Sequence, residues 1–136
     1  MTKTDKLAEN TSEITREPQI THTDLSAEFW TDERCHIIEV SNSDNDSEVS
    51  KARARVESGV TTAWHRLKDI TERYYILEGE GVVEIGDLTP ETVTVGSTVI
   101  IPANVRQRIS NTGDNDLVFL AICSPRFVIE AYEDLE

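Results

Sequence analysis

The stretch Gly59-Val60-Thr61-Thr62-Ala63-Trp64-His65-Arg66-Leu67-Lys68-Asp69-Ile70-Thr71-Glu72-Arg73-Tyr74-Tyr75-Ile76-Leu77-Glu78-Gly79 decides the reading of this chain. Residues two apart in a strand face the same side. Ala63, His65 and Leu67 therefore look into one space, and Glu72, Tyr74 and Ile76 share a side on the strand that follows. A histidine pointing inward with a carboxylate seven residues on is the beginning of a metal site. Leu67 occupies the place where a second nitrogen ligand would have been useful. Two readings stay open: a reduced metal site, or an apolar pocket with a few polar handles.

Outward from this stretch, residues 49–56, 61–67, 72–77, 82–86, 93–95, 98–101, 105–110 and 117–123 read as short strands, with residues 36–40 as one more upstream. Glu78-Gly79-Glu80-Gly81 marks a hairpin turn, and Asn111-Thr112-Gly113-Asp114-Asn115-Asp116 another. Many short strands with regular turn punctuation imply an all-β closed barrel or sandwich. Residues 24–30 predict a helical turn with Leu25 and Phe29 on one face. Residues 42–48 are a solvated loop that lacks the glycine and the glutamate register of a calcium-binding helix–loop–helix. The tail, 131–136, reads as a short helix or coil. Residues 1–24, polar and containing Pro18, predict an arm that is partly flexible or exchanged with a second copy, leaving 25–136 as a single domain.

A chain of 136 residues is one domain by size and buries a real core. Its 26 acidic against 13 basic residues give a formal charge of −13, a field that repels phosphate backbones and argues against nucleic acid as a partner. Only four of the basic residues are lysines; a saline habitat and ordinary surface acidity both fit. No apolar run is long enough to span a bilayer. Residues 1–10 carry no apolar signal-peptide core, which makes the cytoplasm the expected address. Cys35 and Cys123 are too few for a disulfide scaffold and sit in apolar runs, so buried thiols are expected.

With these motifs in place, the chain resembles the cupin superfamily. Gly59, His65, Glu72 and Gly79 match the frame of the first cupin motif, with Leu67 at the position of its second histidine. Gly96, Pro102 and Asn111 match the second motif, where Asn104 replaces a glycine and Gln107 replaces the histidine. The resemblance covers about residues 48–124 and implies a double-stranded β-helix (jelly-roll) barrel. In metal-binding cupins the ligands come from the positions that are His65, Leu67, Glu72 and Gln107 here. Leucine has no lone pair to donate, and a glutamine oxygen is a weaker ligand than imidazole for late transition metals. The resemblance thus leaves His65, Glu72 and Gln107 to hold manganese, iron, nickel or zinc at a reduced set, or no metal at all.

Strand parity adds to the pocket. Ala63, Leu67, Tyr74, Ile76 and Ile109 share its side with His65, Glu72 and Gln107, and Phe119 and Cys123 join if their face of the last strong strand points inward. Arg126, in the turn after that strand, either gates an acidic ligand or pairs with a surface acid. Trp64 and Arg66 point the other way, toward a second layer or a dimer contact. The expected function is binding of a small molecule; the alternative is a metal-dependent dioxygenase, isomerase, decarboxylase or lyase built on the same three polar residues. Metal-free acid–base chemistry by His65 and Glu72 is a further option. Small cupins commonly pair through sheet edges and N-terminal arms, so the resemblance also implies a homodimer.

Overall fold

The computed structural model describes residues 17–136. The predicted arm falls largely in residues 1–16, outside the described residues; 17–24 are exposed and irregular. Eleven strands follow: β1 (Phe29–Trp30), β2 (His36–Ser41), β3 (Ser50–Val56), β4 (His65–Leu67), β5 (Thr71–Glu78), β6 (Glu80–Ile85), β7 (Glu91–Thr94), β8 (Thr98–Ile101), β9 (Gln107–Asn111), β10 (Leu117–Ser124) and β11 (Tyr132–Asp134). They form a six-stranded sheet in the order β1-β2-β3-β10-β5-β8 and a five-stranded sheet in the order β11-β4-β9-β6-β7. Every pairing is antiparallel. This is the jelly-roll barrel that the motif spacing implies.

Alternation explains why the two sheets close on each other. In β5, Glu72, Tyr74 and Ile76 are buried, as are Gln107, Ile109 and Asn111 in β9. Val56, Ile76, Ile101, Ile109 and Leu117 are almost wholly removed from water between the sheets. Gly79 (φ +82°) turns β5 into β6, and the backbone entering β10 passes so close that a Cβ there would lie 2.5 Å from the Asp116 carbonyl oxygen. Asn104, where the cupin motif has glycine, keeps the same left-handed backbone (φ 70°). Asparagine tolerates that region better than most residues, and its Oδ1 accepts a hydrogen bond from the Asp69 amide at 3.0 Å, tying the β8–β9 turn to the β4–β5 loop.

Three local expectations are corrected. The middle of residues 131–136 is strand: Ala131 ends a 3₁₀ turn, and Tyr132, Glu133 and Asp134 pair with Leu67, Arg66 and His65 of β4. A strand this short has no periodicity of its own and is made by its distant partner. The helical turn over 24–30 shrinks to a three-residue 3₁₀ turn, Leu25–Ala27, capped by Asp24. Leu25 and Phe29 do not pack as a helical face, because Glu28 is pulled onto Arg55 and the chain extends along β2. Of residues 61–67 just His65–Leu67 join a ladder. Upstream of them Thr62 exchanges hydrogen bonds with Ile109 through its own amide and hydroxyl, and Thr61 bridges to Ser110.

Candidate functional site

Register on the six-stranded sheet creates the site. Ser50, Cys123, Glu72 and Ile101 lie side by side across β3, β10, β5 and β8. The next inward row is Glu39, Ala52, Ala121, Tyr74 and Val99. Two alanines and a serine in these rows cannot fill the space between the sheets. What remains is a cavity of about 400 Å³ lined on this sheet by Ser50, Ala52, Glu72, Ala121 and Cys123. The chain around β1 and β2 contributes Phe29, Thr31, Asp32, Glu33, Ile37 and Glu39, and the C-terminal segment contributes Phe127, Ile129 and Tyr132. Among the described residues no lysine or arginine lines it.

Glu72 is the polar hub of the floor. It is 8% exposed. Its Oε1 accepts a hydrogen bond from Gln107 Nε2 at 2.9 Å, across the barrel. Its Oε2 meets the Cys123 thiol at 3.7 Å. Gln107 Oε1 in turn accepts the Tyr74 hydroxyl. Burial, and then the charge of Glu33, push the Glu72 carboxyl up to about 7, while His65, Gln107 and Cys123 oppose the rise. Tyr74, packed at a tilt against Phe119 with ring centroids 4.3 Å apart, is held well above the usual phenol range by burial.

His65 stands behind this floor. Its Nδ1 donates to the Ala63 carbonyl at 2.8 Å. That contact leaves Nε2 facing Glu33 Oε2 at 3.8 Å. The ring stacks on Tyr132, with centroids 5.1 Å apart and planes 19° from parallel. Burial raises the Glu33 carboxyl above its ordinary value, and the His65 charge opposes the rise. Sequence reasoning missed Glu33, Tyr132 and Glu39. The first lies in the irregular link between β1 and β2, the second in the unexpected strand β11. Inward parity of Glu39 with Ile37 was the one available signal. The small residues Ser50 and Ala52 could have marked the cavity in the same way.

The structure brings His65, Glu72, Gln107 and Tyr74 together but not as expected. Glu72 and Cys123 line the cavity, whereas His65, Gln107 and Tyr74 are buried and are not among its lining residues. His65 pairs with Ala63 and Glu33 rather than with Glu72. Ile76, Ile109 and Phe119 belong to the main apolar core, and Ala63 is buried beside His65. Leu67 packs with Ile70, Cys123, Ala131, Phe127 and Tyr132. Arg126 is not a pocket residue. It binds Asn42 Oδ1 and Asp44 Oδ1 at 2.9 and 2.7 Å, because the turn after β10 carries it toward the 42–48 loop. Trp64 lies under the guanidinium groups of Arg106 and Arg108, 5.0 and 4.3 Å from its ring centroid. Both cysteines are free and buried, which raises the Cys35 thiol to about 12 and Cys123 further still. Neither is poised as a nucleophile.

The donor set does not fit a metal. The Gln107 amide oxygen is engaged by Tyr74, and its NH₂ group points at Glu72. A ligating glutamine would have to present that oxygen instead. At the position of the second histidine stands an alkyl side chain, Leu67. Among the described residues no group of three or more His, Cys, Asp and Glu side chains is placed to hold a metal ion. No helix among them is long and apolar enough to cross a membrane.

A jelly-roll barrel with a polar-floored cavity between its sheets defines a small β-helix protein of the pocket-bearing kind. The chain belongs to the cupin family: the cupin domain model matches residues 52–123. An uncharacterized protein of Methanocaldococcus jannaschii is 36% identical over 87 residues, spanning 64% of this chain and 69% of that one. The barrel superposes on KdgF from a Halomonas species with a TM-score of 0.67 at 14% identity, covering 80% of this chain and 96% of that one. A nucleoside dehydratase gives 0.71 at 13% identity, with coverage of 87% and 92%. Oxalate decarboxylase from Bacillus subtilis also gives 0.71, at 17% identity; the match takes in 89% of this chain and 34% of that longer one. At these identities the likeness is one of fold.

Proposed function

We propose that this cupin binds a small organic molecule in the cavity above Glu72, without a metal, and that His65, Gln107 and Tyr74 hold the cavity's polar floor in place. The observation that carries the reading is the floor itself: a buried carboxylate fixed at one oxygen by Gln107, at the bottom of a cavity of about 400 Å³. That volume falls within the range of roughly 300–1,000 Å³ common to ligand pockets, and an apolar wall with few convergent polar groups is their usual character. The test is chemical-shift mapping with benzyl alcohol as a neutral probe. Shifts should cluster on Ala52, Glu72, Ala121 and Phe127 and vanish in Ala121→Trp, which fills the cavity. Shifts that scatter over the surface, or that persist in the filled variant, refute it.

A second reading, proton transfer, is favoured by one specific feature. Glu72 sits at about 7, so near neutral pH it both holds and releases a proton. Because Oε1 accepts from Gln107, the proton resides on Oε2, the oxygen beside Cys123 at the cavity. In that reading Glu72→Gln retains ligand binding while abolishing any turnover.

A further inference from the structure

We propose that the cavity is a receptor for a small organic cation, an amine or quaternary ammonium carried on an apolar body. The inference rests on the pocket reading above and adds the sign of the ligand's charge. Among the described residues four carboxylates line the cavity, those of Asp32, Glu33, Glu39 and Glu72, and no lysine or arginine does. Carboxylates at a protein surface are ordinary; two of these, Glu72 and Glu33, differ in how weakly they are partnered. Glu72 is more than nine-tenths buried, and its Oε2 has just the weak thiol contact at 3.7 Å. The Glu33 side chain has the imidazole at 3.8 Å, beyond hydrogen-bond distance, as its contact among the described residues. A buried carboxylate oxygen without a strong donor is costly to keep charged, and a cation arriving in the cavity relieves that cost.

The walls point the same way. Phe29, Phe127 and Tyr132 line the cavity, and aromatic faces attract ammonium groups through their quadrupole, most strongly where water is excluded. Phe29 and Ile129 are exposed at 51% and 70%, so the apolar wall remains open to an incoming ligand. A bare metal ion would need converging donors, which the carboxylates do not offer among the described residues. An anionic ligand would enter against the four carboxylates and the −13 charge of the whole chain.

Three probes built on the same aromatic ring test this on the full chain by isothermal titration calorimetry at pH 8: benzyltrimethylammonium, benzyl alcohol and benzoate. The ammonium is expected to bind at least about tenfold more tightly than the alcohol, with benzoate weakest, and to release protons when titrated near pH 7. Glu33→Gln should cut the ammonium's advantage over benzyl alcohol several-fold. Alcohol binding as tight as the ammonium overturns the cation inference and leaves the pocket reading standing. An ammonium advantage that Glu33→Gln does not alter places the cation elsewhere and also overturns it. Failure of all three probes overturns both readings.

Discussion

Replacing Glu72 with glutamine should make the protein more stable at alkaline pH, an unusual outcome for a change at the centre of a polar network. The geometry permits it: the substituted amide would keep an oxygen to accept from Gln107 Nε2, and its NH₂ group would face the Cys123 sulfur where the Glu72 Oε2 now sits. What disappears is the ionisation. The Glu72 carboxyl is raised from 4.5 to about 7 by burial and by Glu33. Each unit of such a rise is worth about 1.4 kcal/mol, so the charged form costs the fold about 3 kcal/mol once the pH exceeds both values. The direction follows from proton counting. Between the two values the folded chain retains a proton that the unfolded chain has released, so stability falls as pH rises through that window. Below the unfolded value no cost is felt, and above the folded value it is felt in full.

About 2 kcal/mol of the loss lies between roughly pH 5.5 and pH 8, the span accessible to urea denaturation followed by the fluorescence of Trp30 and Trp64. The native chain should lose that amount across the span. Glu72→Gln should lose markedly less, keeping the residual slope of Glu33, whose carboxyl burial also raises. Parallel slopes for the two proteins, or a native chain that gains stability on going alkaline, would refute the buried-carboxylate argument.

Other consequences are open to the same kind of measurement. Gln107→Leu strands both the Tyr74 hydroxyl and Glu72 Oε1. It should cost about 2–4 kcal/mol in urea titrations, against about 1 kcal/mol for Tyr74→Phe, which strands a single carbonyl oxygen. Asn104→Gly should shift stability by no more than about 0.5 kcal/mol, whereas Asn104→Val forces a β-branched residue into the left-handed region and should cost about 1–2 kcal/mol or more. Cys35 and Cys123, both raised far above neutrality by burial, should resist a thiol reagent at pH 7.5 in the native protein and react at once in urea. A fast-reacting native thiol would show that one of the two is open to solvent.

The barrel was legible because its information is periodic and local. Alternation in Thr71–Glu78 and Gln107–Asn111, and turn glycines such as Gly79, are properties a strand carries in its own residues. The approach of Glu72 to Gln107 was legible for the same reason, once two inward faces were known to oppose each other. Glu33 and Tyr132 were not. Glu33 reaches the site because the neighbouring Arg34, itself in the left-handed region, anchors its loop to the Thr61 carbonyl and to Glu136. Tyr132 reaches it because β11 pairs with a strand some 65 residues upstream. Contacts of that kind are made by partners far apart in the chain, and neither segment carries a pattern that names its partner. Arg126 takes the surface-acid role of the two expected for it, pairing with Asp44 and not joining the pocket: parity ends where the strand ends, and the turn at Ser124-Pro125 redirects the side chain.

The departures from the metal-binding pattern are best understood as one change rather than two. An imidazole at position 67 would have to leave the apolar cluster of Ile70, Cys123, Ala131, Phe127 and Tyr132 that Leu67 now completes. That cluster holds β11 against β4, and β11 is what stacks Tyr132 on His65. With Tyr132 and Glu33 placed over His65, the imidazole is engaged from above and, through Ala63, from its own strand. Gln107 meets the complementary requirement. Its amide accepts from the Tyr74 phenol and donates to the Glu72 carboxylate at once. An imidazole that gives its lone pair to a metal keeps one N–H and nothing to accept with, so the phenol would be stranded. Introducing a histidine at either position alone therefore removes a structural partner without supplying a metal site. Introducing both, as Leu67→His with Gln107→His, still leaves Glu33 and Tyr132 where they are. The double variant should unfold at lower urea than either the native chain or Gln107→His, and added manganese or zinc should recover little of the loss; full recovery by metal would mean that a ligand geometry survives beneath the present network.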